Sequence, residues 1–337
     1  MKLLYIGQHT DGTTSRMRAD QLGEILNAQT FDVIDTHVPF FKTQKLFRSL
    51  GFRYKMGPLV WNINSYVQQK LSTINYDLIW VDKGIFLDRK NTERLRKQTK
   101  RLVHFTPDMA FFENKSSLFN RSISLYDFLI TTKSEERELY LKHIESDKLI
   151  MTTQGFDGKI HCNVTEFKDK RDAVSFVGLW ESYRELVIQN LINKKIKVLL
   201  AGKGWHDFVK KNKRNPYLEY FGDGLFSHDY ARFISSTKLS LGLMSKRFPE
   251  LHTTRTFEIP ACGTALLTER NTETSEFFTE DEVIFFNDID DMICKIDYFL
   301  SHPNELENLS NRGLNKVIKD KYDYESILGD ILRLVMA

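Results

Sequence analysis

The chain has 337 residues, 41% of them hydrophobic and 28% charged, a globular composition too long for one ordinary core and suited to two domains of roughly 150 residues each. Its 48 basic and 45 acidic side chains leave a net charge of +3, too even a balance to argue for nucleic acid as a main ligand, although an anionic substrate or a lipid surface is tolerated. Cys162, Cys262 and Cys294 lie far apart with no CxxC spacing, which argues against a disulfide framework and a zinc cluster and suits a reducing compartment.

The opening MKLLYIG reads as a first strand, too short for a signal-peptide core. No apolar run approaches the roughly 18 residues of a spanning helix. The expected location is cytoplasmic, at most peripheral at the inner face of the cell membrane. The many Lys, Asn, Ile and Phe residues hint at an AT-rich bacterial genome.

After strand Lys2–Ile6 comes a glycine-containing loop and a helix over Thr14–Ala28, with Leu22, Ile25 and Leu26 on one face. Strand Phe31–Asp35 follows, then a helix over Leu59–Ile74. Strands are predicted at Asp77–Val81, Arg101–Phe105 and Asp127–Thr132, a helix at Ser134–Ile144, and a strand at Leu149–Thr153. The polar stretch Asp157–Asp172 reads as a linker. Beyond it, strands are expected at Val174–Val177, Ile196–Ala201, Leu218–Phe221, Leu239–Met244, Ala265–Thr268 and Val283–Phe286. Helices are expected at Glu181–Ile192, His228–Ser235 and Thr254–Ala261, with three more from Asp288 onward.

Strand and helix in repeated alternation mean parallel sheets covered on both faces. The expected fold is therefore α/β, with two Rossmann-like domains facing a cleft: residues 1–157, residues 158–322, and a final segment, 323–337, whose helix packs back on the first domain. In such sheets ligands sit beyond the C-terminal strand ends, so site residues belong in the loops after strands.

The most informative segment is FPELHTTRTFEIPACGTALLTER, Phe248 to Arg270. Glu250 and Glu258 stand eight apart, and a helix N-terminus at Thr253–Thr254 offers free N–H groups to an anion. Thr254 and Arg255 suit a diphosphate. An ionised Glu258 one turn in suits the vicinal hydroxyls of a ribose, and Glu250 before the helix suits sugar hydroxyls. An ordinary amphipathic helix with surface glutamates gives the same spacing.

The run RTFEIPACGTALLTE resembles the signature of the CgeB-like glycosyltransferases, relatives of glycosyltransferase family 4, and the likeness covers about Asp172 to Tyr322. The resemblance implies the GT-B fold. It assigns the donor sugar to Glu250, the ribose to Glu258 and the phosphates to Thr253, Thr254 and Arg255. The sequence departs from the family where a glycine near the first glutamate is replaced by His252 and its neighbours. In FVGLWESYRE, Gly178 ends a strand and Arg184 lies in the next helix, where the family places a basic residue against the diphosphate. Gly202-Lys203-Gly204 is a second strand-end loop, and Lys203 adds positive charge there; a plain tight turn explains the glycines equally. Gly222 and its neighbours, with Tyr230, are candidates for the base pocket, although a buried helix tyrosine is the plainer account of Tyr230.

The first domain should supply the acceptor side. Gly12 and Thr13 open the first helix, and Arg16 and Arg18 could reach an anion; a capped helix accounts for them as well. Lys83 ends the strand DLIWV. HFTPD, His104 to Asp108, ends the next strand, and the family often has a His or Asp in such a loop, near the transferred sugar.

Residues 40–55, FFKTQKLFRSLGFRYK, interleave Lys and Arg with Phe, Leu and Tyr. They fit either peripheral contact with an anionic membrane or a loop packed on its own domain. Asp288-Ile289-Asp290 spells DxD but reads as an acidic helix cap. No metal-ligand spacing, P-loop or GxSxG elbow occurs, so no metal and no cofactor is expected.

These readings converge on a glycosyltransferase. It would move a sugar from a nucleoside diphosphate to a glycan, lipid or protein acceptor in bacterial surface polysaccharide or glycoconjugate synthesis. By resemblance it retains the anomeric configuration and needs no metal. The alternatives are a nucleotide-sugar epimerase-like enzyme on the same fold and a non-catalytic coat-associated protein.

Overall fold

Twelve strands form two six-stranded sheets, and every strand pairing is parallel. The computed structural model describes all 337 residues and divides the chain into two units, Met1–Thr153 with Tyr324–Ala337, and Gln154–Asp323.

The first unit carries β1 (Lys2–Gly7), β2 (Thr30–Asp35), β3 (Tyr76–Asp82), β4 (Thr99–Thr106), β5 (Phe128–Thr131) and β6 (Leu149–Met151) in the order β2-β1-β3-β4-β5-β6. Around them lie α1 (Thr14–Ile25), α2 (His37–Lys42), α3 (Lys45–Tyr54), α4 (Pro58–Lys70), α5 (Arg89–Lys97), α6 (Ser117–Ser122) and α7 (Arg137–Leu141). The near-continuous apolar run of β3 is buried on both faces, as a strand flanked by helices requires. Leu59, Ile63 and Val67 step along α4 onto this sheet.

The second unit carries β7 (Arg171–Val177), β8 (Val198–Ala201), β9 (Leu218–Tyr220), β10 (Thr237–Gly242), β11 (Ala265–Glu269) and β12 (Ile284–Phe286) in the order β12-β11-β10-β7-β8-β9. Its helices are α8 (Ser182–Asn193), α9 (His206–Lys211), α10 (Ser227–Ser235), α11 (Arg255–Ala261), α12 (Thr272–Phe277), α13 (Ile289–Ser301) and α14 (Pro303–Lys319). The last helix, α15 (Tyr324–Met336), belongs to the first unit and packs on α1. Its buried residues Tyr324, Ile327, Leu328, Ile331, Leu332 and Val335 keep the three-and-four spacing of one helix face.

All twelve expected strands are present. The stretch 157–172 is not a linker: Asp157, His161 and Lys170 are buried in the second unit. The helix expected at Ser134–Ile144 is a short tight turn at Ser134–Glu136 followed by α7. Residues 40–55 are not a loop either, because they fold into the end of α2 and the whole of α3. Asp288 caps α13, its carboxylate accepting from the Asp291 amide at 2.8 Å.

Candidate functional site

In the second sheet the strand order reverses beside β7, which lies between β10 and β8. A doubly wound sheet opens a crevice beyond its strand ends at such a point. The segment after β7 carries Gly178, Glu181 and Arg184; the segment after β10 carries Leu243 and Ser245. Arg184 donates from Nη1 to the Leu179 carbonyl at 3.0 Å and from Nη2 to the Leu243 carbonyl at 3.3 Å. Arg255 donates from Nη2 to the same Leu243 oxygen at 3.4 Å. The Nε atoms of both arginines and Oγ1 of Thr253 are buried without a hydrogen-bond partner.

Two guanidinium groups on one carbonyl repel each other. Burial, and then the charge of Arg255, push the Arg184 guanidinium down to about 10; Glu181, Glu250 and Glu269 pull the other way. Glu181 faces Arg184 at 3.3 Å, and its other oxygen accepts from Ser245 Oγ at 3.1 Å and the Lys246 amide at 3.2 Å. Glu181 was missed in the sequence, where it read only as the first residue of a helix. Glu250 accepts from the Ser245 amide at 3.4 Å and so joins this group.

Helix α11 is seven residues long, its N-cap residue Thr254 makes no side-chain capping bond, and the helix field is that of two turns. Glu258 is not an exposed carboxylate: it is 5% exposed and faces His161 Nε2 at 3.7 Å. His161 Nδ1 accepts from the Asp157 amide at 3.0 Å, which leaves the ring proton on Nε2, toward Glu258. Tyr230 packs edge-on against His161 with its ring centroid 5.7 Å away and is buried, which removes it as an open base platform.

His252, standing where the family glycine would be, is a buried strut. Its Nε2 accepts from the Gln154 amide at 3.2 Å and its Nδ1 faces Glu273 at 2.5 Å. Gly202 serves close packing: at φ 144°, a Cβ there would stand 1.9 Å from the Gly178 carbonyl oxygen. Lys203 projects into solvent beside it.

In the first sheet the order reverses beside β1, which lies between β2 and β3. There a cavity of about 230 Å³ is lined by Ile6, Phe40, Phe52, Ile63 and Phe86, with Lys83, Asp108, Glu113 and Asn114 among its polar groups. Lys83 Nζ pairs with Asp108 at 2.5 Å. Burial opposes ionisation of Asp108, but the ammonium outweighs it and holds the carboxyl below its usual value; the same pairing outweighs burial and raises Lys83. The loop bearing Asp108 is fixed from below, because the amides of Ala110 and Phe111 both donate to buried Glu136 at 2.7 Å.

Three first-domain expectations change here. His104 lies outside the cavity wall, 1% exposed and stacked on Phe119, with Nε2–H committed to the Lys83 carbonyl at 2.8 Å. Arg18 is buried against Asp82, donating to Oδ2 from Nε at 3.0 Å and from Nη2 at 2.8 Å, so it offers nothing to a ligand. Thr13 accepts from the Arg16 amide at 3.4 Å, and Gly12, at φ 76°, makes the turn before it; this is the capped helix. Arg16 is paired with Asp11 and Asp20.

Residues 184–333 match the family model described as Glycosyl transferase-like. No curated protein matches the sequence. Among solved structures, Anabaena HepE in complex with UDP-glucose is 14% identical, with 100% of this chain and 99% of that one covered and a TM-score of 0.67. Sucrose-phosphate synthase from Thermosynechococcus elongatus is 14% identical, with the same coverage and a TM-score of 0.66. AviGT4, a glycosyltransferase involved in avilamycin A biosynthesis, is 11% identical over 98% of this chain and 99% of that one, with a TM-score of 0.55. At these identities the likeness is one of fold, and the fold is GT-B. The chain thus has the GT-B fold, and its residues 184–333 resemble a glycosyltransferase family.

Proposed function

We propose that the second unit holds a nucleoside-diphosphate sugar and that the sugar passes to a hydroxyl of a glycan, lipid or protein acceptor held by the first. The convergence of Arg184 and Arg255 on one carbonyl, each with a buried unpartnered Nε, carries this reading. A diphosphate placed there relieves their mutual repulsion and accepts their free N–H groups. Thr253 and Thr254 lie beside it, Glu258 takes the ribose hydroxyls and Glu250 the sugar. This is also the assignment that the CgeB-like likeness implies. Lys203 adds charge at the rim.

During transfer the bond from the anomeric carbon to the diphosphate oxygen breaks, and the electron pair leaves with the phosphate. The two guanidinium groups meet that growing charge with donors already in place, which makes a divalent metal unnecessary. The acceptor oxygen bonds the anomeric carbon on the same face, and its proton passes to the departing phosphate, so configuration is retained. Asp108, kept ionised by Lys83, orients the acceptor.

Synthesis of bacterial surface polysaccharide or glycoconjugate, at the inner face of the cell membrane, is the setting this chemistry suits. Uridine is the first nucleotide to test, since HepE binds UDP-glucose. A thermal-shift panel of UDP, GDP, ADP and dTDP should show one that stabilises the protein, by about 2.7 kcal/mol at a hundredfold excess over its dissociation constant. No shift with any of them sinks the donor site. Isomerisation of the sugar nucleotide without acceptor would point to an epimerase instead.

A further inference from the structure

Helix α3 buries only one of its ten residues, Gly51. Gly51 lies flush on α4, where a Cβ would stand 2.5 Å from Leu59 Cβ. The apolar stripe of the helix, Leu46, Phe47, Leu50 and Tyr54, is at least 41% exposed throughout. Phe41 and Trp61 extend it on either side, at 61% and 69% exposure. Residues 41–61 hold eight of the twenty large apolar side chains that the protein exposes, too concentrated a patch for ordinary surface.

The charge of the segment that forms this patch has one sign. Between Thr36 and Tyr76 there is no Asp or Glu, whereas Lys42, Lys45, Arg48, Arg53 and Lys70 are all present outside the core. A protein partner would need a matching acidic groove. An anionic bilayer supplies both the diffuse negative charge and the apolar depth that an aromatic stripe flanked by cations fits.

The patch is continuous with the cavity at β1. Phe40 contacts Phe41, Phe52 and Phe86, with ring centroids 5.3, 6.4 and 6.2 Å away. Phe52 is 45% exposed and also a wall of the cavity. One aromatic surface thus runs from the exposed stripe to the polar pair Lys83–Asp108.

We propose that α3 and its flanks seat the protein on an anionic bilayer, and that the cavity takes hydrocarbon of a lipid-linked acceptor whose hydroxyl lies at Lys83–Asp108. The acceptor class rests on the glycosyltransferase reading; the seating does not.

Flotation of the full chain with vesicles of phosphatidylcholine, with and without phosphatidylglycerol, tests the seating. The protein should float only with the phosphatidylglycerol vesicles and be released by salt. Leu46→Glu with Leu50→Glu should lower the bound fraction about tenfold while nucleotide binding is kept. A parent that stays down with the anionic vesicles, or a double variant that floats as well as the parent, overturns the proposal. So does a parent that is dimeric without vesicles and made monomeric by the two substitutions, which would give the face to a second copy.

For the cavity, whose wall includes Ile85, dansyl-undecanoate should brighten on binding the parent and not on Ile85→Trp, which fills the space. No brightening, or equal brightening in both, overturns the acceptor class. Vesicle binding with no nucleotide binding would sink the glycosyltransferase reading and leave the seating standing.

Discussion

Arg184 and Arg255 reach the same atom, the carbonyl oxygen of Leu243, from two different helices, at 3.3 and 3.4 Å. Like charges so placed carry an electrostatic penalty that a bound diphosphate removes. Arg184→Met should therefore lower the transfer rate by roughly 10²–10³-fold, the usual loss for a donor to developing charge. The guanidinium carbon of Arg184 stands 5.7 Å from the Phe176 ring centroid, and a Met side chain still packs on that ring, so the unliganded variant should stay folded at the assay temperature. Steady-state rates beside a melting curve decide it.

Glu258 separates binding from stability. Its carboxylate is buried opposite His161, so Glu258→Ala should cost about 1–3 kcal/mol of unfolding free energy as well as nucleotide affinity. Glu258→Gln keeps the shape and one acceptor oxygen, so it should lose affinity with little loss of stability. Urea unfolding and calorimetry on both variants check this. A Glu258→Gln protein that binds nucleotide like the parent would make the residue purely structural.

His104 makes the fold acid-sensitive. Burial brings its imidazole down to about 4 from an ordinary 6.5, despite the bond to the Lys83 carbonyl and the charge of Asp82. The unfolded chain therefore takes up a proton at pH values where the native state does not. Stability falls as pH drops from 6.5 toward 4, by up to roughly 3 kcal/mol. His104→Gln, which can still donate to that carbonyl, should flatten the urea midpoint across this window.

Gly202→Ala should be poorly tolerated, because the added Cβ would run into the Gly178 carbonyl and force the loops after β7 and β8 apart. A clear fall in melting temperature together with weaker nucleotide binding is expected. Gly222→Ala provides the comparison: its φ is also positive, but nothing stands near its Cβ.

The strands were legible because each is a short apolar run with a turn after it, and the Glu250–Glu258 spacing drew attention to the segment that carries Arg255. Burial was not legible. Arg18 and Arg16 look alike in sequence, yet Arg18 lies under the strand end of Asp82 and Arg16 does not, a difference set by the phase of α1. Glu181 lies 64 residues from Ser245, and His161 lies about 100 from Glu258, and no local pattern announces such distances. Helix α3 escaped because its buried residue is a glycine and its apolar residues face outward, the reverse of the pattern that marks a packed helix.

Calorimetric titration of the nucleoside diphosphate that wins the thermal-shift panel, into the parent and into Arg255→Met, tests the donor site most directly. The account predicts about 10–100-fold weaker binding by the variant, the loss of one charge-assisted contact to phosphate. Equal affinity for parent and variant would contradict it.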